Sequence, residues 1–213
     1  MKKNNIFRNE FLDQTVTHYW MYCYIPYESE EDSVDKQISV ALGILKNYKE
    51  CEIDSDLDEA VAIIEKEVTK GLNIILNELM TESPEWVVVA VPRSKANFAE
   101  NQLYLNKKAI SNAVSRYPVE NGTEFIKRIN DTKTTHLMKT KYGDLNKTGK
   151  EPYPGITRDT CNLNGNVRGK NVILIDDIYT AGVNVDEDCI QYLFDNDAKN
   201  VVLYTVCKTN KNH

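Results

Sequence analysis

The sequence predicts an α/β fold: a mainly parallel sheet flanked by helices, with an N-terminal helical segment ahead of it. Two observations carry this. Short apolar, β-branched runs occur at 86–91 (WVVVAV), 171–175 (NVILI) and 201–207 (VVLYTVC). Runs of this kind suit strands buried on both faces of a parallel sheet. Between the last two runs lies a helical pattern over 185–194, so the end of the chain reads strand–helix–strand.

Taken in order, residues 1–32 are mixed; HYWMYCYIPY is compatible with an extended segment and ESEED with a solvated acidic run. From 33 to 49, Val34, Ile38, Ala41, Leu42, Leu45 and Tyr48 share one helical face. Ser55 or Asp56 can cap a second helix, whose stripe is Leu57, Val61, Ile64, Val68, Leu72, Ile75 and Leu79. Ser83-Pro84 ends it. These periods make 1–83 a helical segment packed on the core, and 84–213 the α/β domain. A helix is expected over 97–114 after the loop PRSKAN. Residues 128–170 are polar and lack a clear period, the texture of a functional lid or a disordered loop. In the helix at 185–194, Val185, Cys189, Ile190, Leu193 and Phe194 are expected to face inward.

Composition narrows the function. With 213 residues, 41% hydrophobic and 27% charged, the chain can bury a core. Its net charge of −6 argues against nucleic acid and other long polyanions. No run approaches the ~18 apolar residues of a membrane span, and MKKNNIFRNE has no apolar signal core. A cytoplasmic protein without a membrane partner is the expectation. The five cysteines form no C-x-x-C pair and read as scattered buried thiols. His18, His136 and His213 are far apart, so no permanent metal site is expected.

The most informative stretch is NVILIDDIYTAGVNVDEDCIQYL. An apolar run enters Asp176 and Asp177, turns through Thr180, Ala181, Gly182, Val183 and Asn184, and begins a helix. Ligands of α/β sheets bind outside the carboxyl ends of the strands. Free N–H groups at a helix start attract anions. Gly182 permits close backbone approach and a positive φ. Two acids after a strand also suit a solvated loop. An NTPase strand would need G-x-x-x-x-G-K-[ST], and GNVRGKN has the wrong spacing. The acids also lie late for a receiver-type phosphoacceptor.

The complete string VILIDDIYTAG resembles the phosphoribosyl-pyrophosphate (PRPP) binding motif of type I phosphoribosyltransferases. The resemblance implies a phosphoribosyltransferase-type sheet. It assigns the ribose hydroxyls to Asp176 and Asp177, and the 5′-phosphate to Thr180, Ala181, Gly182, Val183 and Asn184. It places Arg93, Ser94 and Lys95 in the pyrophosphate loop after the first buried run. It makes 130–162 a catalytic loop, in which Lys133 and Arg158 stand beside the two aspartates as catalytic candidates. In this family Mg²⁺ arrives with the substrate's pyrophosphate, so no metal cluster is needed.

Within the family the chain looks most like the ComF-like, competence-associated branch, over 86–209. VPRSKANFAENQL, RINDTKTTHL and RDTCNLNGNVRGKNVILIDDIYTAG carry that similarity. The cysteine zinc ribbon that opens many such proteins is missing, which counts against a shared role in DNA uptake. Members acting on 6-oxopurines carry an acid where this chain has Thr180, which disfavours those bases; orotate-type chemistry stays open. The implied function is transfer of a phosphoribosyl group from PRPP, with Mg²⁺, to a base. A PRPP- or nucleoside monophosphate-binding regulator without turnover, and a ComF-like DNA-processing factor, are the alternatives. Homodimerisation, common in the family, is also open. Asp186, Glu187 and Asp188 would repel a phosphate if they faced it, so they are expected to turn outward.

Overall fold

The computed structural model describes residues 1–47, 54–79, 85–94, 96, 104–132 and 155–210. A six-stranded sheet runs in the order β1-β2-β8-β7-β3-β4. Its strands are β1 (Lys2–Ile6), β2 (Val16–Cys23), β3 (Trp86–Ala90), β4 (Glu120–Gly122), β7 (Asn171–Tyr179) and β8 (Asn200–Lys208). Only β1 is antiparallel to its neighbour; every other pairing is parallel. A small antiparallel pair, β5 (Ile126–Arg128) and β6 (Cys161–Leu163), stands apart from the sheet.

Helices cover both faces. On one side lie α1 (Val34–Asn47), α2 (Asp54–Leu79) and a π-helical stretch, Tyr104–Ile110, that continues into α3 (Ser111–Val114). They pack through Leu42, Ile64, Leu72 and Ile110 on Val88, Ile173, Ile175 and Tyr204. On the other side α4 (Val185–Phe194) packs Cys189, Ile190 and Leu193 against Val87, Val89, Leu174 and Leu203. Successive strand residues alternate between the two layers, as the pleat requires. The sheet is apolar on both faces because helices cover both. Val87, Val88 and Val89 are all buried, as are Val172 to Ile175. The α/β class and the mostly parallel sheet expected from those runs are therefore present.

The N-terminal segment differs from the expectation. It opens with two strands, not helices, and β2 pairs directly with β8, His18 opposite Leu203 and Tyr19 opposite Tyr204. The reason lies in the kind of strand. β1 carries Lys2, Lys3, Asn4 and Asn5, all exposed, so it has no apolar alternation to read. Charged residues on an edge strand also discourage pairing with other chains. The stripe on α2 is placed as its period implies, with Leu57, Ile64, Val68, Leu72 and Ile75 buried. Gly71 lets α2 approach the sheet: a Cβ there would meet the Tyr204 hydroxyl oxygen at 2.1 Å.

Two further expectations shift. β7 does not stop before the acids but runs through them to Tyr179, paired to Lys208 of β8. The polar stretch 128–170 contains β6, and an isolated bridge joins Arg168 to Ala198. Cys161, Cys189 and Cys207 are buried free thiols, and Cys23 is half-buried and free. Cys51 and His136 lie outside the described residues. Among the described residues no helix is long and apolar enough to cross a membrane.

Candidate functional site

The connections around β3 and β7 diverge. From β3 the chain crosses the α3 face to β4 at one edge, while from β7 it crosses the α4 face to β8 on the opposite side. β3 and β7 are neighbours in register, Ala90 opposite Ile175. The carboxyl ends of these two strands therefore flank a topological switch point, where open α/β sheets form their ligand crevice. Arg93 and Ser94 follow β3, and Asp176 and Asp177 lie on β7.

The two aspartates point to opposite layers. Asp177 meets α1, whose last turn supplies Lys46: its Nζ lies 2.9 Å from Oδ2 and 3.0 Å from Oδ1. Arg93 Nη1 adds a contact of 3.3 Å to Oδ2. The Ile178 N–H donates to Asp177 Oδ1 at 2.6 Å, and the Asp177 N–H to Asp176 Oδ1 at 2.8 Å. The ladder to β8 passes from Asp176↔Thr205 to Ile178↔Cys207. Backbone donors at the strand end are thus taken by the acids themselves.

Asp176 faces α4, where the Asp186 carboxyl comes close enough for the two acids to influence each other; Asp186 Oδ1 is buried without a hydrogen-bond partner. Burial, then the neighbouring Asp177 charge, pushes Asp176 up to about 7. Burial and the Asp176 charge likewise push Asp186 well above the carboxylate range. Both carboxyls are thus biased toward the protonated form, since like charges in a dry site resist ionising together. Asp177 behaves oppositely. Burial raises it, but the Lys46 and Arg93 charges outweigh that and hold it below its ordinary value.

The acids of α4 correct the expectation that they turn outward. Asp186 and Glu187 are 4% and 2% exposed. Glu187 Oε1 accepts from the Tyr179 hydroxyl at 2.9 Å, and Asp188 Oδ2 from the Ile156 N–H at 2.6 Å. Glu187 and Asp188 thus have inward hydrogen-bond partners and Asp186 is buried beside Asp176, which the helix period alone does not reveal.

The turn 180–184 has the conformation that close approach requires. Gly182 has φ 82° and Asn184 φ 64°. The Val183 N–H closes the turn on the Thr180 carbonyl at 3.1 Å. Gly182 is exposed, while Thr180, Ala181, Val183 and Asn184 are half-buried. The Asn184 side chain makes no capping bond to α4.

The loop after β3 is held by Arg128, a buried residue that sequence reasoning passed over. Its Nε donates to the Arg93 carbonyl at 2.9 Å and its Nη1 to the Gly155 carbonyl at 2.6 Å. The Thr132 N–H donates to the Ser94 carbonyl at 2.7 Å. Arg158 is exposed and lines a surface cavity of about 460 Å³ beside Asp188, Gln191 and Tyr192 of α4 and Asp195 just beyond it. No other named candidate lines that cavity. Lys95 and Lys133 lie outside the described residues.

The structure thus brings Arg93, Asp176, Asp177 and the turn 180–184 to one end of the sheet, and adds Lys46 and Asp186. Asp186 follows Asp176 in the same string, so a register of ten residues could have flagged it; Lys46 left no local signal, because it is distant in sequence. Among the described residues no group of three or more His, Cys, Asp or Glu is arranged to hold a metal ion. No protein-family model matches the chain, and no curated protein is significantly similar to it.

Proposed function

We propose that the chain is a phosphoribosyltransferase-type protein that takes PRPP, with its Mg²⁺, at the carboxyl ends of β3 and β7. The observation that carries the reading is the crevice itself. A cation from the β3 loop, two acids from β7 and a turn with positive φ at Gly182 and Asn184 meet at a topological switch point. The VILIDDIYTAG string adds the resemblance to the PRPP motif.

In this reading the turn 180–184 binds the 5′-phosphate through its backbone N–H groups. Asp176 and Asp177 accept the ribose hydroxyls, and Arg93 and Ser94 hold the pyrophosphate. The bond from C1 to the pyrophosphate oxygen breaks, and the electron pair leaves on pyrophosphate. A base nitrogen then bonds to C1 and its proton passes to solvent. Cations beside the departing oxygen stabilise the charge that develops. The raised pKa values of Asp176 and Asp186 favour protonation there and lower the negative charge that an incoming polyphosphate meets. A cytoplasmic enzyme of nucleotide metabolism follows from this substrate.

Turnover is tested by supplying MgPRPP with a panel of purine and pyrimidine bases and measuring released pyrophosphate. Release that depends on one base supports transfer. PRPP binding without release for any base favours the regulatory alternative.

A further inference from the structure

We infer that Lys46, delivered from the N-terminal segment, is an anion-binding residue of this site, parked on Asp177 until a phosphorylated ligand arrives. The inference rests on the reading above and names a residue that the VILIDDIYTAG string does not contain.

Asp177 is saturated in the structure. Its two oxygens receive Lys46 twice, Arg93 once and the Ile178 N–H. A carboxylate so occupied has no lone pair left for a ribose hydroxyl. It becomes an acceptor only if at least one cation leaves it. Both cations have reason to leave. Each side chain keeps 20% of its surface in solvent, whereas Asp177 keeps 4%. Arg93 Nη2 is buried and without a hydrogen-bond partner, so one guanidinium donor is unused. Lys46 and Arg93 together carry one positive charge more than Asp177 neutralises. Phosphate oxygens accept from ammonium and guanidinium groups in the same geometry as a carboxylate, with more charge. A diphosphate therefore exchanges with Asp177 for Lys46 and Arg93, and the freed carboxylate takes the ribose. One event fills both halves of the site.

The test uses the full chain and titration calorimetry with three probes: MgPRPP, Mg²⁺ with inorganic pyrophosphate, and ribose 5-phosphate. Lys46→Gln is expected to weaken pyrophosphate and PRPP by about tenfold, the loss of one charge-assisted hydrogen bond. Ribose 5-phosphate, which has no diphosphate, should change less than threefold. Lys46→Arg should recover most of the pyrophosphate affinity. Thermal melts of each variant report folding separately.

Equal weakening of all three probes would mean that Lys46 acts only by holding Asp177, and would overturn the inference. Unchanged pyrophosphate affinity in Lys46→Gln, with PRPP binding intact, would overturn it and leave the proposed function standing. Pyrophosphate binding that depends on Lys46, without PRPP binding, would support the anion site and remove the phosphoribosyl reading. No binding of any probe to the unmodified chain would overturn both.

Discussion

Lys46 Nζ lies 2.9 Å from Asp177 Oδ2, joining positions 131 residues apart. The contact ties α1 to β7 at the same end of the sheet as the glycine turn. Asp177→Ala would leave Lys46 and Arg93 side by side without their shared anion. Breaking a fully buried pair costs about 3–5 kcal/mol. Here both cations retain 20% exposure and can turn toward water, so the expected loss is about 2 kcal/mol. Urea unfolding of the two proteins at neutral pH measures it.

The N-terminal strands are integral to the sheet. β2 covers one edge of β8, and Tyr19 belongs to the core. Deleting residues 1–23 would expose the β8 backbone from Leu203 to Lys208 and remove that core side chain. An unpaired, apolar strand edge promotes association between chains. The truncated chain is expected to aggregate or to lose its cooperative melt, as read by size-exclusion chromatography and circular dichroism. A soluble monomer with an unchanged melting temperature would contradict the account.

The acids and His18 set opposing pH dependences. Asp176 is raised from 3.8 to about 7, so the folded chain holds a proton that the unfolded chain releases. Its contribution is fully present below 3.8 and is lost as pH rises through about 7. His18 is wholly buried, with Nε2 2.8 Å from Thr205 Oγ1 and its ring 4.6 Å from that of Tyr179. Burial, then the Lys208 charge, lowers it from 6.5 to about 3. Its contribution is present above 6.5 and is lost as pH falls toward 3. Between these limits the two slopes oppose each other. Asp176→Asn removes the first and relieves the Asp186 shift that the Asp176 charge causes, while leaving His18, so the melting temperature of the variant relative to the unmodified chain should rise from pH 5 to pH 8. A constant difference would contradict a raised Asp176 pKa.

The turn should be sensitive at Gly182 and tolerant at Asn184. At φ 82° an alanine carries the left-handed penalty of roughly 1–2 kcal/mol. Gly182→Ala is expected to lower stability by about 1 kcal/mol, and to weaken phosphate binding because the added Cβ crowds the approach. Asn184→Gly keeps a residue suited to φ 64° and should leave the melt within a degree or two of the original. Thermal melts and phosphate titration check both.

The parts of the molecule that were legible in the sequence are those whose pattern is local. Val87–Val89, Ile173–Ile175 and Val201–Leu203 are continuous apolar runs, and such runs suit strands covered on both faces. The α2 stripe fixes its buried side through a period of three and four. β1 was not legible, because an exposed edge strand of Lys and Asn has no apolar side to show. The acids of α4 misled for a related reason. They are consecutive, so helical period points them in different directions, and only tertiary neighbours (Asp176, the Tyr179 hydroxyl and the Ile156 N–H) give each an inward environment. Arg93, Asp176, Asp177 and the glycine turn were readable as one string and one loop. Lys46 and Arg128 enter the site through tertiary packing that no spacing encodes.

Titration calorimetry of MgPRPP into the full chain and into Asp176→Asn, at pH 7.5, tests the central claim most directly. Asparagine keeps the acceptor for the Asp177 N–H and resembles the protonated carboxyl, so the fold survives the substitution. The account predicts saturable, Mg²⁺-dependent binding to the unmodified chain and loss of more than tenfold in the variant. Absence of binding to the unmodified chain, or equal affinity in both, would contradict a PRPP site at the end of β7.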